Sequence, residues 1–447
     1  MSDLHGEGKD IKESCSEFNG KAVAGCAVTL FTDAPFHIAT GNLAPQNGTA
    51  FGGAFVEHYT PTTHPWRLGF SADIVAAPST GSWRGGVYMK MVRTRSDTGV
   101  TVRTPGAPGA NTSASEGRDE RPVFDVYFER NSLERLLYFG PALSSSQAGR
   151  SAFSESQSIV GTTAIIPLTG AQFLDRTRAS FVGAVNGRFV SVAGTTFDST
   201  PSIADLYTEQ TAPGLTHQPG FAQFEEGIRF KPSILDGGLR LNYLVDFQQF
   251  VADSAAHSSF HRWSLDLGHE IPLYNHQGSP GPRSREFNTP NECGETVGST
   301  KCPPISWSRN RSGTIAFRFL SSVSSAFEGD SVPFYFQPTL GGSDINGQRL
   351  LAAYDDYRFR GRKMFAVQES IEHSIAGPVG AFFLADQGKV GDSEWGELAH
   401  SYAAGLTIRA GGFPVINLSI AWGPDGHHVI GSLDAALLGG SSRPSLH

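Results

Sequence analysis

The sequence predicts an all-β fold, a closed antiparallel transmembrane β-barrel of about 16 strands. Three observations carry that prediction. Apolar and polar residues alternate with period 2 in segment after segment. Charged residues are 17%, while Gly numbers 52 and Phe 31, a mixture that suits many strands joined by tight turns. No apolar run approaches the roughly 20 residues of a membrane helix.

The alternation can be followed along the chain. Trp66, Leu68, Phe70, Ala72 and Ile74 fall on one face, with Arg67, Gly69, Ser71 and Asp73 on the other. Phe124, Val126 and Phe128 oppose Asp125, Tyr127 and Glu129. Leu241, Tyr243, Val245 and Phe247 oppose Asn242, Asp246 and Gln248; Trp263, Leu265 and Leu267 oppose Arg262, Ser264 and Asp266. Ile416, Leu418, Ile420 and Trp422 oppose Asn417 and Ser419. Each run is long enough for a tilted strand to cross a bilayer, with its polar face toward a wet lumen. Such segments begin near residues 49, 65, 82, 122, 133, 151, 177, 220, 238, 259, 311, 362, 379, 399, 414 and 427. Their number is even, as closure with both termini on one side requires. On this count residues 1–48 form an N-terminal extension with no recognisable domain, and 49–447 form the barrel.

Loop lengths sort by side. Ser96–Arg121 and Gly194–Gly220 are long and share one side; Asn131-Ser132 and Leu235–Gly238 are short and share the other. Tyr274–Asn310 is long yet falls among the short ones. It contains Cys293 and Cys302, and both a disulfide and two free thiols fit that Gly/Thr/Ser-rich loop.

The stretch Leu340 to Arg362 is polar and long. Gly341-Gly342 permits backbone forbidden to other residues, and Arg358, Arg360 and Arg362 follow around Phe359. The pattern Leu340-Gly341-Gly342, Tyr354, Arg358-Phe359-Arg360-Gly361, then Glu369 or Glu372, then Asp386-Gln387-Gly388, resembles the BamA/TamA superfamily of outer-membrane barrels, the bacterial surface antigen family. The motifs are strongest over residues 340–440. The resemblance implies a 16-stranded barrel, a barrel-only member without periplasmic POTRA domains or the barrel portion of a larger protein, whose long loop between strands 11 and 12 folds inward. It implies residence in the bacterial outer membrane, contact with its lipid, and work on client outer-membrane or secreted polypeptides: protein insertion or transport. The implied latch joins Arg349 or Arg358, with Arg360, to Glu372 or Asp386. Strand parity favours Glu372 over Glu369, because Glu372 shares a face with Gln368 and Ser370. Family members carry Arg-Gly before an aromatic here, where this chain has Ala352-Ala353 before Tyr354. The implied seam runs between the first strand, Thr49–Thr60, and the last, His427–Gly439.

Other classes find little support. A net charge of −8 with both signs dispersed argues against nucleic acid. No nucleophile elbow, H-E-x-x-H helix or phosphate loop occurs, so neither an enzyme nor a cofactor is expected. Asp355-Asp356 reads as a solvated turn, and His427-His428, facing opposite sides of a strand, as interfacial packing. A passive pore or structural surface barrel is one alternative reading; a soluble all-β protein is the other, favoured because residues 1–20 carry neither the basic start nor the apolar core of a secretory signal.

Overall fold

The computed structural model describes residues 36–61, 64–93, 121–168, 178–235, 238–253, 256–276, 311–376, 379–410, 413–433 and 446. Sixteen long strands make one antiparallel sheet: β1 (Phe36–Asn42), β2 (Thr49–Tyr59), β3 (Trp66–Ala76), β4 (Trp83–Arg93), β5 (Val123–Tyr138), β6 (Ser151–Pro167), β7 (Ala179–Gly194) and β8 (Gly220–Phe230). They continue as β9 (Leu239–Ala252), β10 (Phe260–His276), β11 (Arg311–Ala326), β12 (Lys363–Ala376), β13 (Val379–Gly391), β14 (Ala399–Ala410), β15 (Phe413–Gly423) and β16 (Gly426–Leu433). A two-residue strand, Ser233–Ile234, adds a stub beside β9. Each strand pairs with its sequence neighbour throughout, a pure meander. No helix among the described residues is long and apolar enough to cross a membrane.

The burial pattern is inverted relative to a water-soluble sandwich. On β7, Phe189 is 60% exposed while its neighbour Arg188 is 2% exposed; on β10, Trp263 is 54% exposed beside Arg262 at 5%. Val126 and Phe128 face outward from β5 while Tyr127 and Glu129 are buried; Leu418 and Ile420 face outward from β15 while Ser419 is buried. A sheet with one wet face normally turns its apolar side inward. Here the apolar faces are outside and the charges are inside, which separates this architecture from the soluble alternative.

The strand number agrees with the sequence reading, but two of its assignments change. Phe36–Asn42, within the segment read as an extension, pairs with β2 along its whole length. It is seven residues long with small side chains at Ala39 and Gly41, so it presents little hydrophobic contrast. Conversely, Asn131-Ser132 is not a turn: β5 runs through it to Tyr138. A register shift between Leu133 and Leu136 breaks the alternation there, and a bulge mimics a turn in sequence. The two errors cancel in the count but move the loops. The connection between β4 and β5, containing Ser96–Arg121, leaves the sheet at the same end as that between β10 and β11, opposite the loop between β11 and β12. Cys293 and Cys302 lie outside the described residues.

The sheet's edges are β1 and β16. Thr49–Tyr59, read from sequence as the edge, is flanked by partners on both sides. Among the described residues no ladder joins β1 to β16, although Cα atoms of the two strands come within 8 Å.

Candidate functional site

The candidate site is the loop between β11 and β12, residues 327–362. Its first half is an aromatic knot. A 3-10 turn, Phe334–Phe336, buries three consecutive rings completely. Phe334 meets Tyr138 and Phe153 edge-on at 5.2 and 5.1 Å, and Phe336 meets Phe221 and Phe250 at 5.0 Å each. Such pairs add to the area term of burial. Two arginines bind the knot's backbone, one from the loop and one from the sheet: Arg360 Nη1 donates to Phe334 O at 2.7 Å, and Arg262 of β10 donates to Phe336 O. Phe334 O also accepts the Gln337 N–H at 3.1 Å, so the arginines add buried charged donors to the carbonyls of the knot.

A two-rung ladder, Thr339–Leu340 with Phe359–Arg360, closes the stem of the second half. Beyond it Gly341 and Gly342 take φ of 102° and 59°. A Cβ on Gly341 would lie 2.5 Å from Arg358 Cβ, and one on Gly342 would strike the Asp356 backbone, so both positions need glycine. Gly361 and Gly388 are similarly tight, against Gly391 O and Phe365 O at 2.8 and 2.9 Å. Tyr354 is buried with its ring 5.1 Å from Phe359.

The Asp386 carboxylate is where β13 holds this half. It accepts the backbone N–H of Leu351 at 3.1 Å, that of Ala352, and the Gln368 amide at 2.9 Å; Gln368 also donates to Arg349 O at 3.2 Å. The contact is therefore carboxylate to backbone amide. Ala352 and Ala353 fit fully buried against Ala403 and Ala421, with Ala353 Cβ only 2.9 Å from where a Cβ of Gly423 would sit. The pair is thus seated among small residues, and Gly423 has no room for a side chain beside Ala353.

The arginines of the sequence-derived latch go to separate places. Burial lowers the pKa of Arg349, whose charge senses Asp356 and Asp386. Arg358 pairs with Asp425 at 3.3 Å, donates to Ser145 Oγ at 2.6 Å, and stacks over Phe139 and Phe359 at 5.2 and 4.8 Å. Arg360 serves the aromatic knot. Glu372 sits opposite Phe382, nine positions beyond Lys363, about 30 Å along the strand from the loop's stem.

Asp356 is not a solvated turn residue. Its carboxylate accepts Ser343 N at 2.8 Å and the Gln46 amide at 2.7 Å, and burial raises its pKa. Tyr357 OH donates to Pro45 O at 3.3 Å. Gln46 and Pro45 belong to the β1–β2 turn; Asp425 belongs to the β15–β16 turn. One loop therefore touches the hairpins at both edges of the sheet. Gln46, Ser145 and Asp425 carried no sequence signal because they are isolated turn residues. Gln368 was marked only by sharing a strand face with Glu372. Among the described residues no group of three His, Cys, Asp or Glu side chains is placed to hold a metal ion.

No family model and no curated protein matches this chain. Solved structures do. CdiB from Escherichia coli matches at 12% identity and a TM-score of 0.50, over 89% of this chain and 62% of that one. The chain shares its fold with CdiB. BamA from Haemophilus ducreyi lacking POTRA domains 1–3 matches at 10% identity and TM-score 0.49, covering 89% and 70% of the two chains. CdiB from Acinetobacter baumannii matches at 10% and 0.44, covering 88% and 56%. This chain thus spans 56% and 62% of the two CdiB chains.

Proposed function

We propose that the sheet closes into a barrel in the bacterial outer membrane, with β1 against β16 and the 327–362 loop inside. In this reading the seam opens to insert polypeptides into that membrane or pass them across it. The apolar exterior supports placement in lipid. The shared fold with CdiB and the LGG…RFRG pattern support the choice of barrel class.

The observation that carries the functional reading is the pairing of two unladdered edges with one bridging loop. An unpaired strand edge offers a row of N–H and C=O groups that can template an incoming strand. β16 is short and carries Gly426 and Gly431, which suits weak pairing. The loop holds the edge hairpins through Gln46–Asp356 and Arg358–Asp425. Gly341, Gly342, Tyr354, Phe359, Gly361, Asp386 and Gly388 shape and dock it, so it acts as the clasp of the seam.

The test is a panel of cysteine pairs, one from Phe36–Asn42 and one from Gly426–Leu433, in a background with the native cysteines replaced. Oxidation should lock the seam and abolish assembly of a client barrel in liposomes, with reductant restoring it. Efficient locking with full client assembly would overturn the gating reading.

A further inference from the structure

Leu446 is buried and held by hydrogen bonds to both its N–H and its carbonyl. Its N–H donates to Asn346 Oδ1 at 2.9 Å, at the tip of the 327–362 loop. Its carbonyl accepts from Gln157 Nε2 at 3.1 Å and from Arg188 Nη1 at 2.9 Å, on β6 and β7. The Leu446 side chain is buried in the same apolar cluster as Ile345 and Tyr357.

The donors are themselves built in. Tyr127 OH donates to Asn186 Oδ1 at 2.7 Å, Asn186 Nδ2 donates to Gln223 Oε1 at 3.0 Å, and Gln223 Oε1 also accepts from Arg188 Nε. This chain fixes the plane of the Arg188 guanidinium so that Nη1 points at the Leu446 carbonyl. Gln157, 1% exposed, leaves its Oε1 without a partner among the described residues. A buried amide oxygen in that state lacks a donor that an adjoining peptide N–H would supply. One acceptor for an N–H, two donors for a C=O, a spare acceptor beside them and an apolar seat together form the recognition set for an extended polypeptide backbone carrying an aliphatic side chain.

We propose that Asn346, Gln157 and Arg188 form an internal peptide-binding site, and that the chain's own Leu446 occupies it. The site sits between the loop and the wall formed by β6 and β7, so its occupant ties the two together. It does not depend on the seam reading.

The experiment uses the full chain in detergent micelles. First, Asn346→Cys and Leu446→Cys are combined with Cys15, Cys26, Cys293 and Cys302 each replaced by Ser, and oxidised while folded. An intramolecular disulfide is expected; its absence from protein that still shows a folded, heat-modifiable band would overturn the proposal. Second, full-length Leu446→Asp, with Leu446→Ala as the milder variant, is titrated with a fluorescein-labelled peptide of the 440–447 sequence. Binding should be about tenfold tighter than to the unsubstituted chain, whose site is filled. Adding Asn346→Ala, at an exposed position, should weaken that binding about tenfold. Equal binding to filled and vacated proteins, or binding indifferent to Asn346→Ala, would overturn it. Neither readout involves a client or a bilayer, so failure here and failure of the seam reading are separate results.

Discussion

The two halves of the 327–362 loop are held to the sheet by different physics. Around Phe334–Phe336 the contacts are dry, aromatic and deep, and the carbonyls of Phe334 and Phe336 each accept from a buried arginine. Around Ser343–Arg358 small and apolar residues such as Leu351, Ala352 and Ala353 are also buried, but polar contacts dominate the attachment, to Asp386 on β13 and to turns at the sheet's edges. An apolar knot has no cheap intermediate state: it is packed or it is a cavity. Hydrogen bonds and ion pairs to partly exposed turns exchange more readily for water. On the proposed reading the first half is an anchor and the second a clasp, so that the loop releases the seam while its aromatic half stays docked.

The comparison fails if the anchor proves dispensable. Phe334→Ala removes a fully buried ring contacting Tyr138, Phe153 and Tyr335, and should cost about 3–5 kcal/mol. The expected readout is a large drop in the temperature at which the folded band disappears on a cold gel. A loss no greater than that of a clasp variant would erase the distinction between the halves.

Next in size is the clasp. Arg358→Ala frees Asp425 and Ser145 and removes two ring contacts, at an expected cost of about 1–3 kcal/mol. It should raise single-channel conductance and the frequency of opening in planar bilayers while leaving the heat-modifiable band in place. Gln46→Ala should do the same more weakly, about 1 kcal/mol, because it removes one exposed hydrogen bond. Collapse of the band in either variant would make these contacts part of the anchor.

What was legible in the sequence follows the same division. Strands declare themselves through side-chain alternation, and β9, β10 and β15 were readable residue by residue, including which face is polar. Alternation is lost where a strand is short and small-featured, as in β1, or bulged, as in β5 after Leu133. The glycines of the loop were legible because φ above zero and close backbone approach leave one residue type. Which arginine meets which carboxylate was not, because that depends on turns brought together from residues 45, 145 and 425. The pair Ala352-Ala353 read as a departure; its meaning lay in the small residues of β14 and β15 that receive it.

A similar reasoning fixes the effect of Asp386→Ala, which leaves the amides of Leu351 and Ala352 unanswered in a buried setting. It should loosen the clasp by about 1–3 kcal/mol, measured as faster backbone hydrogen exchange over residues 343–358. Exchange confined to Asp386's own strand would place its role in the sheet.

The smallest effect is a pH dependence, and its sign is informative. Asp344 accepts the Gln348 N–H at 2.7 Å and lies beside a cavity of about 330 Å³ lined also by Glu155, Asp246, Arg262, Arg318 and Arg360. Burial pushes its carboxyl from 3.8 up to about 6, against the pull of backbone N–H groups and Arg318. A folded-state value above the unfolded one means the folded protein takes up the proton first. Stability is therefore lower above pH 6 and rises as pH falls from 7 toward 4. The linkage ceiling is about 3 kcal/mol, and water in the adjoining cavity brings the expected gain to about 1 kcal/mol. Asp356, raised by burial in the same direction, adds to it. Mild acid should thus tighten the clasp and slow opening in bilayers at pH 5 relative to pH 7. Asp344→Asn keeps the acceptor without the charge, so it should bring the pH 7 protein toward pH 5 behaviour and flatten the profile. A profile unchanged by Asp344→Asn would move the proton-sensitive element out of the clasp and into the charged wall of the cavity.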